Sequence, residues 1–314
     1  MVEKKINDIV IVGAGPAGLT ASIYAARAGL SAGVLDELGA GGQLLSIDNL
    51  ENYPGFPEGI NGFEAAYSLQ AQAERFGAVI ENDKAIGISL GKGNGDDARF
   101  VVQGTQGSYP ARSVIIATGA KPVPLPVDGA ASLVGKGISY CATCDGNFFR
   151  NKDVVVVGGG DSAVADVVYL SRVAQSVHLV HRREALKASP WYARQLEGID
   201  NLVMHWNCVV SDILQEDSRV SGVKLKNVLT GETSTIRAQG IFAAIGTRPD
   251  TAWLNGIVGL DESGYIVADE GGATSVPGLF AAGDVRTTPL RQVVTAVSDG
   301  ALAAEAAASF LSSC

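Results

Sequence analysis

Basic and sulfur-containing residues are scarce in this 314-residue chain. Lysine and arginine number 24 against 33 aspartates and glutamates, so the net charge is −9 at pH 7. That shortage of positive charge argues against nucleic-acid binding, which relies on neutralising phosphates. There are only four cysteines, three histidines and two methionines. Four cysteines at this length do not make a disulfide scaffold. No run approaches the ~18 consecutive apolar residues of a transmembrane helix, so no membrane span is expected. A long charged block and low-complexity stretches are also missing, and 46% of residues are hydrophobic, which excludes a disordered chain. Lys4 and Lys5 followed by apolar residues look superficially like a signal peptide. Asp8 interrupts the run, however, and Ile9–Val12 leads into a glycine motif instead of a cleavage site. The expectation is a first β-strand in a cytoplasmic protein.

Glycine, by contrast, is abundant: 39 residues, against a usual ~7%. The glycines show no three-residue period, which excludes collagen. They cluster instead between apolar segments. Ile6–Val12 reads as a buried strand, Gly13–Gly18 as a turn, and Pro16–Ala28 as a helix stopped by Gly29. Ser31–Leu35 reads as a second strand and Gly62–Phe76 as a second helix. Ala85–Leu90 and Phe100–Gln103, separated by the glycine- and aspartate-rich Gly91–Asp97, suggest antiparallel strands. Ser113–Thr118 suggests a short strand, and the proline-bearing Lys121–Gly129 a linker. The pattern then restarts with a strand at Asp153–Val157, a turn at Gly158–Gly160, a helix at Asp161–Arg172 and a strand at Ser176–Val180. Ile213–Gln215, Val220–Lys226 and Ser234–Ala238 suggest a second meander, followed by a strand at Ile241–Ile245 and a linker at Gly246–Pro249. A last strand, Leu279–Ala282, and an alanine-rich helix, Gln292–Leu311, end the pattern. The chain is therefore a coarse internal duplication, and its length suits roughly two domains.

The first turn, Gly13-Ala14-Gly15-Pro16-Ala17-Gly18, is a GxGxxG between strand and helix. Its glycines allow a tight turn and let a pyrophosphate approach the backbone at a helix N-terminus. Asp36 stands 23 positions after Gly13, where a carboxylate accepts hydrogen bonds from a ribose. An ordinary glycine turn is the alternative. The second turn, Gly158-Gly159-Gly160-Asp161-Ser162-Ala163, is a GxGxxA, in which Ala163 meets the need for a small third residue. At the matching offset stands His181, followed by Arg182, Arg183 and, further on, Lys187. A carboxylate would repel a 2′-phosphate there, whereas arginines bind one through charge-assisted hydrogen bonds. A solvated basic turn is the alternative. The first turn thus points to FAD and the second to NADPH.

Between the two units lies Cys141-Ala142-Thr143-Cys144-Asp145-Gly146. A zinc site needs four ligands, and the remaining candidates are the isolated Cys208 and Cys314 with His178, His181 and His205. No metal is expected. A pair at this spacing can close a disulfide, and the favoured reading is redox activity, with an inert pair as the alternative. Asp145 could serve as general acid and base for the adjacent thiol, or could simply cap a turn. Cys208 and Cys314 are expected to have no redox role.

Taken together, these stretches resemble the low-molecular-weight, bacterial-type thioredoxin reductases. The resemblance also runs through Gly41-Gly42-Gln43, Glu51-Asn52-Tyr53-Pro54-Gly55-Phe56, Ala117-Thr118-Gly119-Ala120, Ala281-Ala282-Gly283-Asp284-Val285 and Leu290-Arg291-Gln292-Val293. It implies an α/β fold of two Rossmann-like, three-layer nucleotide-binding domains, each with a small antiparallel meander. The second, 118–247, is inserted into an FAD domain made of 1–117 and 248–314. It implies that Gly13, Gly15, Pro16, Ala17, Gly18, Asp36, Gly42, Gln43, Asn52, Thr118, Gly119, Asp284, Arg291, Gln292 and Val293 contact FAD. Gly158, Gly160, Asp161, Ser162, Ala163, His181, Arg182, Arg183 and Lys187 would contact NADPH. The family's HRRxxxR motif ends here in Lys187, which keeps the charge without the planar fork, and Thr247 stands where histidine is common. The implied reaction passes hydride from NADPH to FAD, then electrons to the Cys141–Cys144 disulfide, then to oxidised thioredoxin. Cys144 would lie nearer the flavin. A domain rotation about linkers near Gly119 and Gly246, and a homodimer, are likewise implied. Reductases of other disulfide partners, a ferredoxin-fed flavoprotein, a dithiol oxidase and a non-catalytic flavin sensor are the rival readings. The chain has no second CxxC, which disfavours a self-contained peroxide reductase.

Overall fold

The structure is a computed structural model that describes residues 6–47, 49–91, 97–254 and 256–313. Lys4, Lys5, most of the Gly91–Asp97 connection and Cys314 lie outside the described residues. The chain divides into two compact units, Met1–Lys121 with Arg248–Cys314, and Pro122–Thr247.

The first unit starts with β1 (Asn7–Val12). Both of its faces are covered, which is why it reads as an unbroken apolar run. Ile9 and Ile11 pack with the alanine-rich face of α1 (Pro16–Arg27), and Val10 and Val12 pack with the opposite layer. Pro16 opens α1, where its missing N–H costs nothing. β2 (Ala32–Asp36) pairs parallel with β1. α2 (Gly62–Arg75) is capped by Asn61, whose side chain accepts the Phe63 N–H at 3.0 Å. β3 (Val79–Asn82) adds a parallel edge strand on β2.

β4 (Ala85–Leu90), β5 (Phe100–Gly104) and β6 (Ser108–Ile116) follow. The expected short strand at Ser113–Thr118 is the end of this longer β6. Its first half pairs antiparallel with β5, while Ala111 to Ile116 pairs parallel with β1. Pro110 and Arg112 break the apolar run and hide its continuity, and Arg112 reaches the Asp8 carboxylate at 2.9 Å. The first meander is therefore an extension of the main sheet, in the order β3-β2-β1-β6-β5-β4.

β7 (Lys121–Pro122) leads into the second unit. β8 (Ile138–Ser139), α3 (Ala142–Asp145), β9 (Asp153–Gly158), α4 (Asp161–Ser171), β10 (Ser176–His181), α5 (Pro190–Arg194) and β11 (Leu202–Trp206) come next. They are followed by β12 (Cys208–Glu216), β13 (Arg219–Asn227), β14 (Thr233–Arg237) and β15 (Gly240–Ala244). A parallel sheet ordered β11-β10-β9-β15-β8 carries α4 on one face. The separate antiparallel sheet β12-β13-β14 packs through Val210, Ile213, Val223 and Leu225 against Val155, Val180 and Ile241 of the main sheet.

β16 (Thr247–Arg248) pairs with β7 and returns the chain to the first unit. There β17 (Leu279–Ala281) joins β6 in parallel. α6 (Val293–Ser312) packs on α1 through Ala296, Gly300, Ala303, Ala304 and Ala307. By length and composition alone α6 could cross a membrane; Asp299 and Glu305 are what keep it from being an uninterrupted apolar run.

Candidate active site

The first glycine turn lies at the C-terminal edge of the parallel strands, where open α/β sheets hold ligands. Gly13 takes φ 109°. A side chain there would run into the Ala117 carbonyl, and one on Gly18 would strike the Gly13 carbonyl. At Gly15 a Cβ would meet only the Gly42 Cα, at 3.9 Å, so the backbone there is open to a ligand. No side chain caps α1, which leaves its first-turn N–H groups suited to an anion. The Asp36 Oδ2 accepts the Ala14 N–H at 2.7 Å and its Oδ1 accepts the Leu38 N–H at 2.9 Å. Each oxygen keeps a lone pair for a ribose hydroxyl. The Ala14 carbonyl accepts the Gly41 N–H at 2.8 Å, holding Gly42 over the turn. The Thr118 hydroxyl is buried without a partner among the described residues. An orphaned hydroxyl costs free energy, and this one fits a site completed by a bound group.

Residues remote in the chain meet beside this turn. Gln43 Nε2 donates to Asp284 Oδ2 at 3.3 Å, and Asn52 Nδ2 donates to Gln292 Oε1 at 2.8 Å. Burial pushes the Asp284 carboxyl above its ordinary range, opposed by the Arg291 guanidinium and the Gln43 amide. Arg291 lies 3.8 Å from the Tyr265 ring centre, a cation–π stack that fixes its plane. Val293 opens α6 directly after Gln292. Three residues that sequence reasoning missed hold this corner: Tyr265, Arg286 and Asp299. Asp299 Oδ2 accepts the Gly283 N–H at 3.1 Å, and its Oδ1 lies 3.4 Å from Arg286 Nη1. An acid within an alanine-rich helix was the available signal for Asp299.

In the second unit Cys141 and Cys144 form a disulfide with Cα atoms 5.3 Å apart. Cys141 is the N-cap of the short α3 and Cys144 lies within it. The Cys141 Sγ accepts the Cys144 N–H at 3.1 Å. Cys144 is exposed, while Cys141 and Asp145 are half-buried. Asp145 Oδ2 lies 2.7 Å from the hydroxyl of Ser139, which is 3% exposed. Sequence reasoning missed Ser139, although a lone serine in a short apolar stretch before the cysteines was a legible signal. Cys208 begins β12, away from the pair in sequence, and burial pushes its thiol up.

The second glycine turn repeats the first. A side chain on Gly158 would meet the Ala244 carbonyl, and one on Gly160 would meet nothing within 4 Å. Ala163 is fully buried beneath the turn and Ser162 is exposed. His181 is buried against Gly159, and its Nε2 donates to the Ala185 carbonyl at 3.0 Å. Its ring is thus engaged by the protein itself. Arg182, Arg183 and Lys187 are exposed, and among the described residues none is in an ion pair. Their loop is tied to the turn: the Lys187 and Ala188 N–H groups both donate to the Gly159 carbonyl, at 2.6 and 3.0 Å. The Ser189 N–H donates to Asp161 Oδ1 at 2.6 Å. Free cations beside an open helix N-terminus fit a nucleotide carrying an additional phosphate.

The model of the pyridine nucleotide-disulphide oxidoreductase family matches residues 7–300. The thioredoxin reductase of Treponema pallidum (strain Nichols) is 46% identical over 304 residues, which cover 97% of this chain and 97% of that protein. The thioredoxin reductase of Bacillus subtilis (strain 168) is 42% identical over 305 residues, covering 97% and 95%. The crystal structure of Lactococcus lactis thioredoxin reductase in its FR conformation superposes with a TM-score of 0.93 at 37% identity, covering 98% of this chain and 100% of that one.

Proposed function

The chain belongs to the pyridine nucleotide-disulphide oxidoreductase family and is a flavoprotein thioredoxin reductase using FAD and NADPH; we propose that the Cys141–Cys144 pair is the centre that meets thioredoxin. The observation that carries this is the closed disulfide with an exposed Cys144 beside a carboxylate held in place. FAD, when bound, supplies the two-electron chemistry that takes hydride from NADPH and delivers it to a disulfide. Opening Cys141–Cys144 takes up two electrons and two protons, one proton arriving with the hydride and one returned by Asp145. A thiolate of the pair then attacks the thioredoxin disulfide and forms a mixed disulfide. The second thiolate breaks that bond, restores Cys141–Cys144 and releases the thioredoxin dithiol. Asp145 takes and returns the proton of the neighbouring thiol.

Within this reading, the unit formed by Met1–Lys121 and Arg248–Cys314 holds FAD. Gly13, Gly15 and Gly18 admit the pyrophosphate, Asp36 the ribose, and Gln43, Asn52, Thr118, Asp284, Arg291 and Gln292 the remainder. The unit Pro122–Thr247 holds NADPH, with Arg182, Arg183 and Lys187 on its 2′-phosphate. Gly119 and Gly246, at φ 65° and 112°, are the hinges. A homodimer is supported by Phe63 and Tyr67 of α2, which are 63% and 66% exposed, since such apolar surface favours association. A cytoplasmic location suits a chain that works by thiol exchange, because reducing compartments keep such thiols available.

The test is reduction of thioredoxin with NADPH, NADH or reduced ferredoxin as the donor. Cys141→Ser and Cys144→Ser should each abolish turnover while FAD stays bound. Full activity in either variant would remove the pair from the reaction.

A further inference from the structure

Ser139 lies at the end of β8, outside the CxxC motif, and is buried. Its hydroxyl nevertheless touches three polar atoms of that motif. It accepts the Cys141 N–H at 3.0 Å, lies 2.7 Å from Asp145 Oδ2 and lies 3.1 Å from the Cys141 carbonyl. A serine hydroxyl has one proton to donate and two lone pairs to accept with. It can therefore donate to only one of the two oxygens at a time.

This restriction gives the site two complete hydrogen-bond arrangements. With Asp145 ionised, Ser139 donates to Oδ2 and accepts from the Cys141 N–H. With Asp145 protonated, the carboxyl O–H donates to Ser139, which still accepts from Cys141 and rotates its own proton onto the Cys141 carbonyl. Every buried polar atom named here keeps a partner in both states, so neither state leaves an unpaired group of the kind that is costly to bury. An apolar residue at 139 would remove the Ser139 acceptor from the Cys141 N–H in both states and the Ser139 donor from the carboxylate in one.

We propose that Ser139 is a positioning residue for thioredoxin reduction, holding the Asp145 carboxyl in place in both of its protonation states by switching its hydroxyl between Asp145 and the Cys141 carbonyl. The proposal rests on the reading that Asp145 relays a proton for the thiol pair. Per turnover, one proton leaves a thiol for Asp145 as the thiolate attacks and returns as the pair is reduced again, while the released thioredoxin dithiol takes one proton from the second enzyme thiol and one from solvent. The hydroxyl rotates at each transfer and ends the cycle unchanged. The electrons come from NADPH through FAD, as in the proposed reaction.

A double-mutant cycle on the FAD-loaded protein tests this, using Ser139→Ala, Asp145→Asn and the combination. Two rates are measured: flavin reduction by NADPH, and oxidation of the reduced protein by thioredoxin. Ser139→Ala should slow the thioredoxin step about tenfold, the usual scale of one lost hydrogen bond to a charged group. Flavin reduction should remain within about twofold of the parent, because the rotor contributes nothing to that step. In the Asp145→Asn background, Ser139→Ala should have almost no further effect, since positions acting through one group are not additive. Ser139→Thr keeps the hydroxyl and should recover most of the lost rate.

An equal Ser139→Ala effect in both backgrounds would overturn the proposal, because the serine would then act independently of Asp145. No effect on thioredoxin oxidation would overturn it as well. Loss of FAD or of flavin reduction in Ser139→Ala would assign the serine to folding instead. Unchanged turnover in Asp145→Asn alone would remove Asp145 from the reaction, a result distinct from a failed cycle with a slow Asp145→Asn.

Discussion

Replacing Asp299 by alanine should destabilise the first unit and loosen FAD, with the two effects separable. The Asp299 carboxylate bridges the Gly283 N–H at 3.1 Å and the Arg286 guanidinium at 3.4 Å. The Arg286 and Asp299 side chains are only 10% and 15% exposed. Arg286 otherwise donates to the Asp269 carbonyl at 2.7 Å, and its Nε has no partner among the described residues. Removing the acid leaves a guanidinium largely withdrawn from water against one carbonyl. Breaking a buried ion pair from one side costs about 3–5 kcal/mol. In a unit of this size each kcal/mol lowers Tm by roughly 2–4 °C, so the melt should fall by about 6–20 °C. Asp299→Asn keeps an acceptor for Gly283 and should fall between the two. The double variant Arg286→Met with Asp299→Leu removes both charges and should melt near the parent or above it, because the desolvation cost disappears with them. Its Gly283 N–H remains untethered, however, so the Asp284 turn should still hold FAD about tenfold more weakly. The assays are calorimetry in excess FAD and flavin release by dilution. An Asp299→Ala melt within about 1 °C of the parent would refute the reasoning, given that scale. A double variant as unstable as the single would refute it too.

Arg182→Ala with Arg183→Ala should raise KM for NADPH at least tenfold while leaving KM for NADH unchanged, since each charged hydrogen bond lost is worth about 1.5–3 kcal/mol; equal losses for both nucleotides would deny a 2′-phosphate role. Gly18→Ala should purify with little bound flavin, because a Cβ there meets the Gly13 carbonyl; a full flavin-to-protein absorbance ratio would count against that packing. Asp83 supplies the pH dependence. Burial alone would raise its carboxyl, but hydrogen bonds from Thr105 at 2.6 Å, Tyr109 at 2.8 Å and the Gln106 N–H at 3.1 Å outweigh burial and hold it below the ordinary range. A carboxyl depressed in the folded state contributes stability above its unfolded value near 4 and loses it as pH falls through the folded value. The melt should therefore drop below about pH 4, and Asp83→Asn should be less stable at neutral pH with a flatter acid limb. An unchanged acid limb in that variant would exclude Asp83 as a source.

The elements that were legible are those whose burial imposes one hydrophobic period. β1 and β9 sit mid-sheet and read as apolar runs, and α1 is bounded by Gly15, Pro16 and Gly29. β3 and β11 are edge strands, whose residues are exposed or only partly buried. Val79-Ile80-Glu81-Asn82 and Leu202-Val203-Met204-His205-Trp206 consequently carry too little pattern to stand out. β8 is two residues long and exists because β15 pairs with it. The same physics governs the candidate site. Its glycine turns and CxxC are local and readable. The contacts of Gln43 with Asp284 and of Asn52 with Gln292 join segments about 240 residues apart, and no local pattern reports such a meeting. Ser139 and Asp299 left only a faint trace for a related reason: each acts through hydrogen bonds to a neighbouring motif, so a serine in an apolar stretch and an acid in an alanine-rich helix were the sole local signs.

On the proposed assignment, the two glycine turns set one local structure to two ligands. In the first, Asp36 is drawn into the turn by the Ala14 N–H, and the strand end itself presents a negative charge that excludes a further phosphate. In the second, His181 takes the corresponding place but is withdrawn. Its ring fills the space that a side chain on Gly159 would need, and its Nε2 proton is given to Ala185. The strand end therefore offers no anion. The proposed charge recognition falls to Arg182, Arg183 and Lys187, on a loop fastened to the turn by the Gly159 carbonyl and the Asp161 carboxylate. On that proposal, discrimination between the two nucleotides would lie in the residue ending the second strand and in where the following loop is tied, and not in the glycines, which do the same steric work in both. That is also why Lys187 can stand where the arginine motif commonly ends. Its backbone N–H helps fix the loop whatever its side chain, and a lysine head there still adds positive charge, with less directional grip than a guanidinium.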